Sequence, residues 1–101
     1  MEQFSKEQAQ AILNSRIWEN WTDQQIVRFQ LLQNNPIMPF SKFHLTLERY
    51  LGRPVWSVEL DFQKDKLVRN IFKTTSVPTE NEIRSLIPAA ILNVGYTIHA
   101  N

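Results

Sequence analysis

Apolar residues recur along the chain at three- and four-residue steps, cut by polar punctuation into short segments. Ala9, Ile12, Leu13 and Ile17 fall on one helical face behind Ser5-Lys6-Glu7-Gln8. A serine followed three residues on by glutamine is a capping box: the hydroxyl accepts a backbone N–H, and the glutamine reaches back to the cap. Phe4 stands where a hydrophobic staple belongs, so the pattern predicts a first helix through about Glu19. Thr22-Asp23-Gln24-Gln25 repeats the box, and Ile26, Val27, Phe29 and Leu31 continue the helical spacing. Asn34-Asn35-Pro36 ends that helix, because proline disfavours helical geometry in the residue before it. Residues 37–40 read as an extended apolar connector.

Ser41 is the expected cap of a third helix, in which Phe43, Leu47, Tyr50 and Leu51 form one stripe. Gly52 follows directly, and glycine enters the left-handed conformation that ends many helices without a Cβ clash. Pro54 stands where it cannot continue the helix. Val55 and Trp56 are then expected to fold back, with Trp56 buried near Leu47 or Leu51. Residues 55–60 admit two readings. Trp56, Val58 and Leu60 alternate with Ser57 and Glu59 as in a short strand, or Ser57 caps a fourth helix. Leu60, Leu67, Val68, Ile71 and Phe72 favour a helix through about Lys73, since an isolated strand has no partner.

Thr79-Glu80-Asn81-Glu82 is a third capping box. Ile83, Leu86, Ile87, Ala90, Ile91 and Val94 form a broad apolar face that Pro88 kinks or splits. Gly95 closes it, and residues 96–99 make a short tail. The expected fold is all-α: a compact bundle of four to five short helices in a single domain, residues 1–101, with a strand at 55–60 as the variant.

Length agrees, since 101 residues suit one domain and bury enough surface for one core. The chain has no cysteine, which excludes a disulfide framework, a cysteine nucleophile and a thiolate metal site. Eleven Lys plus Arg against ten Asp plus Glu leave a net charge of +1. That balance argues against an acidic DNA mimic and against a strongly basic nucleic-acid coat. The first residues lack the basic and apolar regions of a secretory signal. Residues 85–101, the longest nearly uncharged run, are too short and polar to span a bilayer. A cytoplasmic location and no membrane partner are expected.

Residues 40–59 read F-x-x-x-H-x-x-x-E-x-x-L-G-R-P-V-W-S-x-E. This segment resembles a family of small phage and prophage proteins of unknown function with an L-G-R-P-V-W-[ST]-x-E core. In that family a His and a Glu precede the core at the spacing of His44 and Glu48. The opening stretch, residues 4–9, is also similar. The strong resemblance covers about twenty residues and stops before Lys64. It implies a phage or mobile-element setting and, in a phage, the host bacterial cytoplasm; it implies no activity or catalytic residue.

Three constellations carry candidate chemistry. His44 and Glu48 are four apart on the third helix, with Arg53 just beyond: an acid–base pair beside an anion clamp, or a helix-surface hydrogen bond and an arginine capping carbonyls. Arg53 and Trp56 form either a recognition patch or a core tryptophan under a snorkelling arginine. Trp18 and Trp21 share that ambiguity, and at least one is expected at the surface. Lys64, Lys66, Arg69 and Lys73 make the densest basic run; Lys66, Arg69 and Lys73 form one helical face able to bind phosphates, or a solvated face softened by Asp61 and Asp65. The two histidines, His44 and His99, lie far apart, and no metal or cofactor motif is present.

These readings rank three functions. The first is a non-enzymatic accessory protein that binds a host or phage protein through His44, Glu48, Arg53 and Trp56, inhibition of a bacterial defence system being one such role. The second is a nucleic-acid-binding regulator using Lys66, Arg69 and Lys73. The third is a small enzyme centred on His44, Glu48 and Arg53. No cofactor is expected, and neither partner identity nor oligomeric state is legible.

Overall fold

All three capping boxes close. In the computed structural model, which describes residues 1–94, Ser5 Oγ accepts the Gln8 N–H at 3.1 Å and Gln8 Oε1 accepts the Ser5 N–H at 2.9 Å. Thr22 with Gln25, and Thr79 with Glu82, repeat the exchange. These boxes open helices α1 (Lys6–Ser15), α2 (Asp23–Leu31) and α6 (Glu80–Leu86). Between them lie α3 (Phe40–Leu51), α4 (Ser57–Phe62) and α5 (Lys64–Ile71), and α7 (Ala89–Leu92) follows. The fold is all-α, with seven α-helices and no strand among the described residues. The helix reading of residues 55–60 therefore holds, and the strand variant does not.

The first helix ends at Ser15, short of Glu19. Ser15 Oγ donates to the Ile12 carbonyl at 2.8 Å and accepts the Ile17 N–H, a local bond that competes with the helical ladder. Arg16 then turns left-handed at φ 61°, and a 3₁₀ turn spans Ile17–Asn20. The Arg16 guanidinium pairs with Glu19 and lies 5.7 Å over the Trp18 ring. This turn swings Trp18 into the core, where its indole N–H donates to the Leu13 carbonyl. Trp21 is buried too, its ring 5.1 Å from that of Phe29. Neither tryptophan is the surface residue expected.

α2 is buried on every side over residues 26–31. It packs antiparallel to α3, with Asp23 at its start bonded to Arg49 near the end of α3 at 2.6 and 2.9 Å. Cores enclose polar groups only when these are hydrogen-bonded, and the α2 region meets that demand with side chains. Gln30 Oε1 accepts the Ile37 N–H and its amide donates to the Asn35 carbonyl, which fixes the connector into α3. Gln33 does the same for the N-terminal segment, through the Phe4 N–H and the Glu2 carbonyl. Arg28, only 8% exposed, forks onto Glu82 at 2.8 and 2.9 Å and donates to the Ser76 carbonyl. Glu82 is also the last residue of the final capping box, so one carboxylate starts α6 and ties it to α2.

Several boundaries differ from expectation. α3 begins at Phe40 with Pro39 at the cap position, two residues before the expected cap Ser41; the fixed φ of proline suits a helix entrance. The helix expected through Lys73 is broken at Gln63 (φ −127°, ψ 24°), and the bend turns α5 so that Leu67 and Ile71 enter the core. Ser57 is the first residue of α4 rather than its cap, a position taken by Trp56. Pro88 splits the last helix, with Ile87 in the extended conformation that a following proline imposes. Of the apolar face around it only Ile87 is fully buried. The expected stop at Gly95 and the tail at 96–99, with His99, lie outside the described residues. No described helix is long and apolar enough to cross a membrane.

Candidate binding surface at the turn between α3 and α4

The turn from α3 into α4 is fastened along its backbone, and one large side chain in it is left in water. Gly52 sits at φ 69°, and both its N–H and that of Arg53 donate to the Glu48 carbonyl, at 2.8 and 3.2 Å. A left-handed glycine closing the last turn is the stop read from sequence. Pro54 follows and Val55 is buried. His44 and Glu48, one turn apart on α3, grip the backbone of Val55. Glu48 Oε2 accepts the Val55 N–H at 2.8 Å, and His44 Nε2–H donates to the Val55 carbonyl. The two side chains lie 3.8 Å apart, each about a quarter exposed. Phe40 stacks on the other end of the His44 ring, with centroids 5.5 Å apart and planes 19° apart.

Arg53 turns away from this pair. Its guanidinium forks onto Glu59 at 2.8 and 2.9 Å and donates to the Pro54 carbonyl, fastening the turn to the first part of α4. The fork holds the Glu59 carboxyl below its ordinary value and raises the arginine. The structure thus brings His44 and Glu48 together but sends Arg53 elsewhere. The polar atoms an acid–base site would use are spent on the backbone of Val55.

Trp56 is the exception. The residue is 73% exposed, and its ring makes no hydrogen bond or ring contact among the described residues. Neither the predicted burial against α3 nor a cation–π contact with Arg53 forms, because Val55, one residue earlier, takes the inward position. α4 has no buried residue. Val58 and Phe62, four apart and so on one face, are 61% and 82% exposed, while Leu60 points to the body and is half-buried. The result is a braced turn and a short helix with a tryptophan, a valine and a phenylalanine in water. Single exposed apolar residues are ordinary; two aromatic residues and a valine exposed on one six-residue helix and its cap make this element the candidate interaction surface.

The basic run is less coherent. Lys66 and Arg69 are exposed on α5, but Lys73 lies beyond its end, so the three do not share one helix face. Neither Asp61 nor Asp65 pairs with them, so the softening expected of those acids does not take the form of ion pairs. No group of three or more His, Asp or Glu side chains is placed to hold a metal ion among the described residues.

No protein-family model, characterised protein or solved structure matches the chain. Two features, one at the site and one in the core, escaped the sequence reading. One is Phe62, whose signal was its spacing: with Val58 it falls opposite Leu60 on a helical wheel. The other is Arg28, a lone cation between the apolar Val27 and Phe29 of α2, which signalled a buried partner.

Proposed function

We propose that the protein is a non-enzymatic accessory protein that acts by binding another protein through Trp56, Val58 and Phe62. One observation carries the reading: between His44 and Glu59 the side chains of His44, Glu48, Arg53, Val55 and Glu59 and the left-handed backbone of Gly52 hold the turn, whereas Trp56 caps α4 with its carbonyl and leaves its ring in water. Aromatic residues on a rigid element bind with little loss of conformational freedom, which is why tryptophan is frequent at interface hot spots. His44, Glu48 and Arg53 are then positioning residues that hold the presenting turn. The resemblance of this segment to a phage and prophage family supports a host or phage protein as the partner, met in the host cytoplasm. Inhibition of a bacterial defence protein is one form of that role.

The test compares the native protein with two variants as baits in host lysate, followed by titration of the purified partner. Trp56→Ala with Phe62→Ala is expected to lose the partner, and Lys66→Gln, Arg69→Gln, Lys73→Gln to keep it at unchanged affinity. Nucleic acid bound at physiological salt by the native protein, and lost in the second variant alone with a shallower salt slope, overturns the reading in favour of a nucleic-acid regulator.

A further inference from the structure

An apolar pocket of about 200 Å³ opens where the end of α2, the connector, α3, α4 and α5 converge. Leu31, Met38 and Phe43, all buried, contribute to its lining together with Leu60, Phe40 and Lys64. Gln30 and Gln33 also border it, but their amides are committed to backbone groups of the connector and the N-terminal segment. Lys64 is different. It is half-buried, it belongs to the lining, and its ammonium has no hydrogen bond or ion pair among the described residues. A lysine placed this way packs its methylenes on apolar surface and keeps its charge available.

We infer that this pocket receives one bulky apolar side chain, aromatic or branched, from a partner protein segment with a carboxylate beside that side chain. Size and charge argue for it. Pockets that bury whole small molecules or cofactors run about 300–1,000 Å³, whereas an apolar cavity of about 150 Å³ holds a benzene ring. This pocket fits one side chain, so most of the affinity must come from surface around it. Such surface is at hand in Phe40, 59% exposed at the pocket wall. The uncommitted ammonium of Lys64 fixes the sign of the neighbouring group as negative. The inference rests on the protein-binding reading and specifies the partner's chemistry.

Three blocked peptides test it without the partner: Asp-Phe-Asp, Lys-Phe-Lys and Asp-Ala-Asp, titrated at low salt while the methyl resonances of Leu31, Met38 and Leu60 are followed by NMR. The acidic phenylalanine peptide is expected to shift all three saturably, the basic one to bind about fivefold more weakly, as one exposed charge pair allows, and the alanine peptide not to shift them. Lys64→Glu should reverse the preference between the two phenylalanine peptides. It places an acid in the first turn of α5, where the helix dipole favours it, so the fold is retained. Lys66→Glu, two residues on and outside the lining, should leave the preference intact. Equal binding of acidic and basic peptides, an unchanged preference in Lys64→Glu, or no saturable shift at millimolar peptide overturns the inference. These outcomes are separate from partner loss in the Trp56 and Phe62 variant, so either proposal can fail alone.

Discussion

α2 and α4 are both short, yet they stand at opposite ends of the scale of burial. α2 buries residues 26–31 in succession, including an arginine and a glutamine whose polar atoms all find partners. α4 buries none, and it leaves Trp56 at its cap, Val58 and Phe62 open to water. Both elements are well fixed, but by different means. α2 is held by its own side chains, packed against α3 and forked onto Glu82. α4 is held from outside, by Gly52, by the grip of His44 and Glu48 on Val55, and by the Arg53–Glu59 pair. The contrast separates two tasks in one small domain. One region supplies stability, and the other is braced so that its apolar side chains need not contribute to stability.

Mutations should break along that line. Phe29→Ala removes a fully buried ring between α2 and Trp21 and should cost about 4 kcal/mol in urea unfolding; a loss below about 1 kcal/mol would mean that α2 is not the centre of the core. Glu82→Ala strands the Arg28 guanidinium and undoes a capping box, for about 3 kcal/mol. The same carboxylate makes stability pH-dependent. Arg28 holds Glu82 below its ordinary value, and Arg49 and Arg53 do so for Asp23 and Glu59. A carboxylate depressed in the folded state adds stability that is complete above its unfolded value, near pH 4, and lost as pH falls through the folded one. The urea midpoint should therefore drop on acidification below about pH 4, and drop less in Glu82→Gln. An equal drop in that variant would remove the Arg28 pair from the account.

Gly52→Ala should cost about 1 kcal/mol, from the left-handed backbone alone, since nothing lies within 4 Å of a Cβ built there. The smallest effect belongs to α4. Trp56→Ser with Phe62→Ser should shift stability by about 0.5 kcal/mol or less, as exposed substitutions usually do. A loss of several kcal/mol in chemical denaturation would place those rings in the core and erase the contrast.

The starts of α1, α2 and α6 were legible in the sequence because a capping box is a local device: four residues contain the whole interaction. The stop at Gly52 was legible for the same reason. Two kinds of feature were not. The early end of α1 depends on Ser15 bonding within its own turn, a choice that competes closely with one more turn of helix. The position of Trp56 depends on which of two neighbours turns inward; hydrophobicity favoured the tryptophan, but the grip of His44 and Glu48 on Val55 sets the register. The same grip explains why a His–Glu pair that resembled acid–base chemistry became a structural clasp. Spacing placed the two on one face, and spacing alone could not tell whether a ligand or the chain's own backbone would occupy them. The break at Gln63 was hidden because Leu60 and Leu67, seven apart, fit one continuous helix as well as two. Arg53 was read toward Trp56, whereas the helical start at Ser57 brings Glu59 into its reach.

The central claim is that the turn presents Trp56 to water while the other two tryptophans lie in the core. Iodide quenching of a Trp18→Phe, Trp21→Phe variant, in which Trp56 is the remaining emitter, tests it most directly. The account predicts red-shifted emission quenched by iodide nearly as well as a free tryptophan derivative. Blue-shifted emission that iodide barely reaches, in a variant that still unfolds cooperatively, would contradict it.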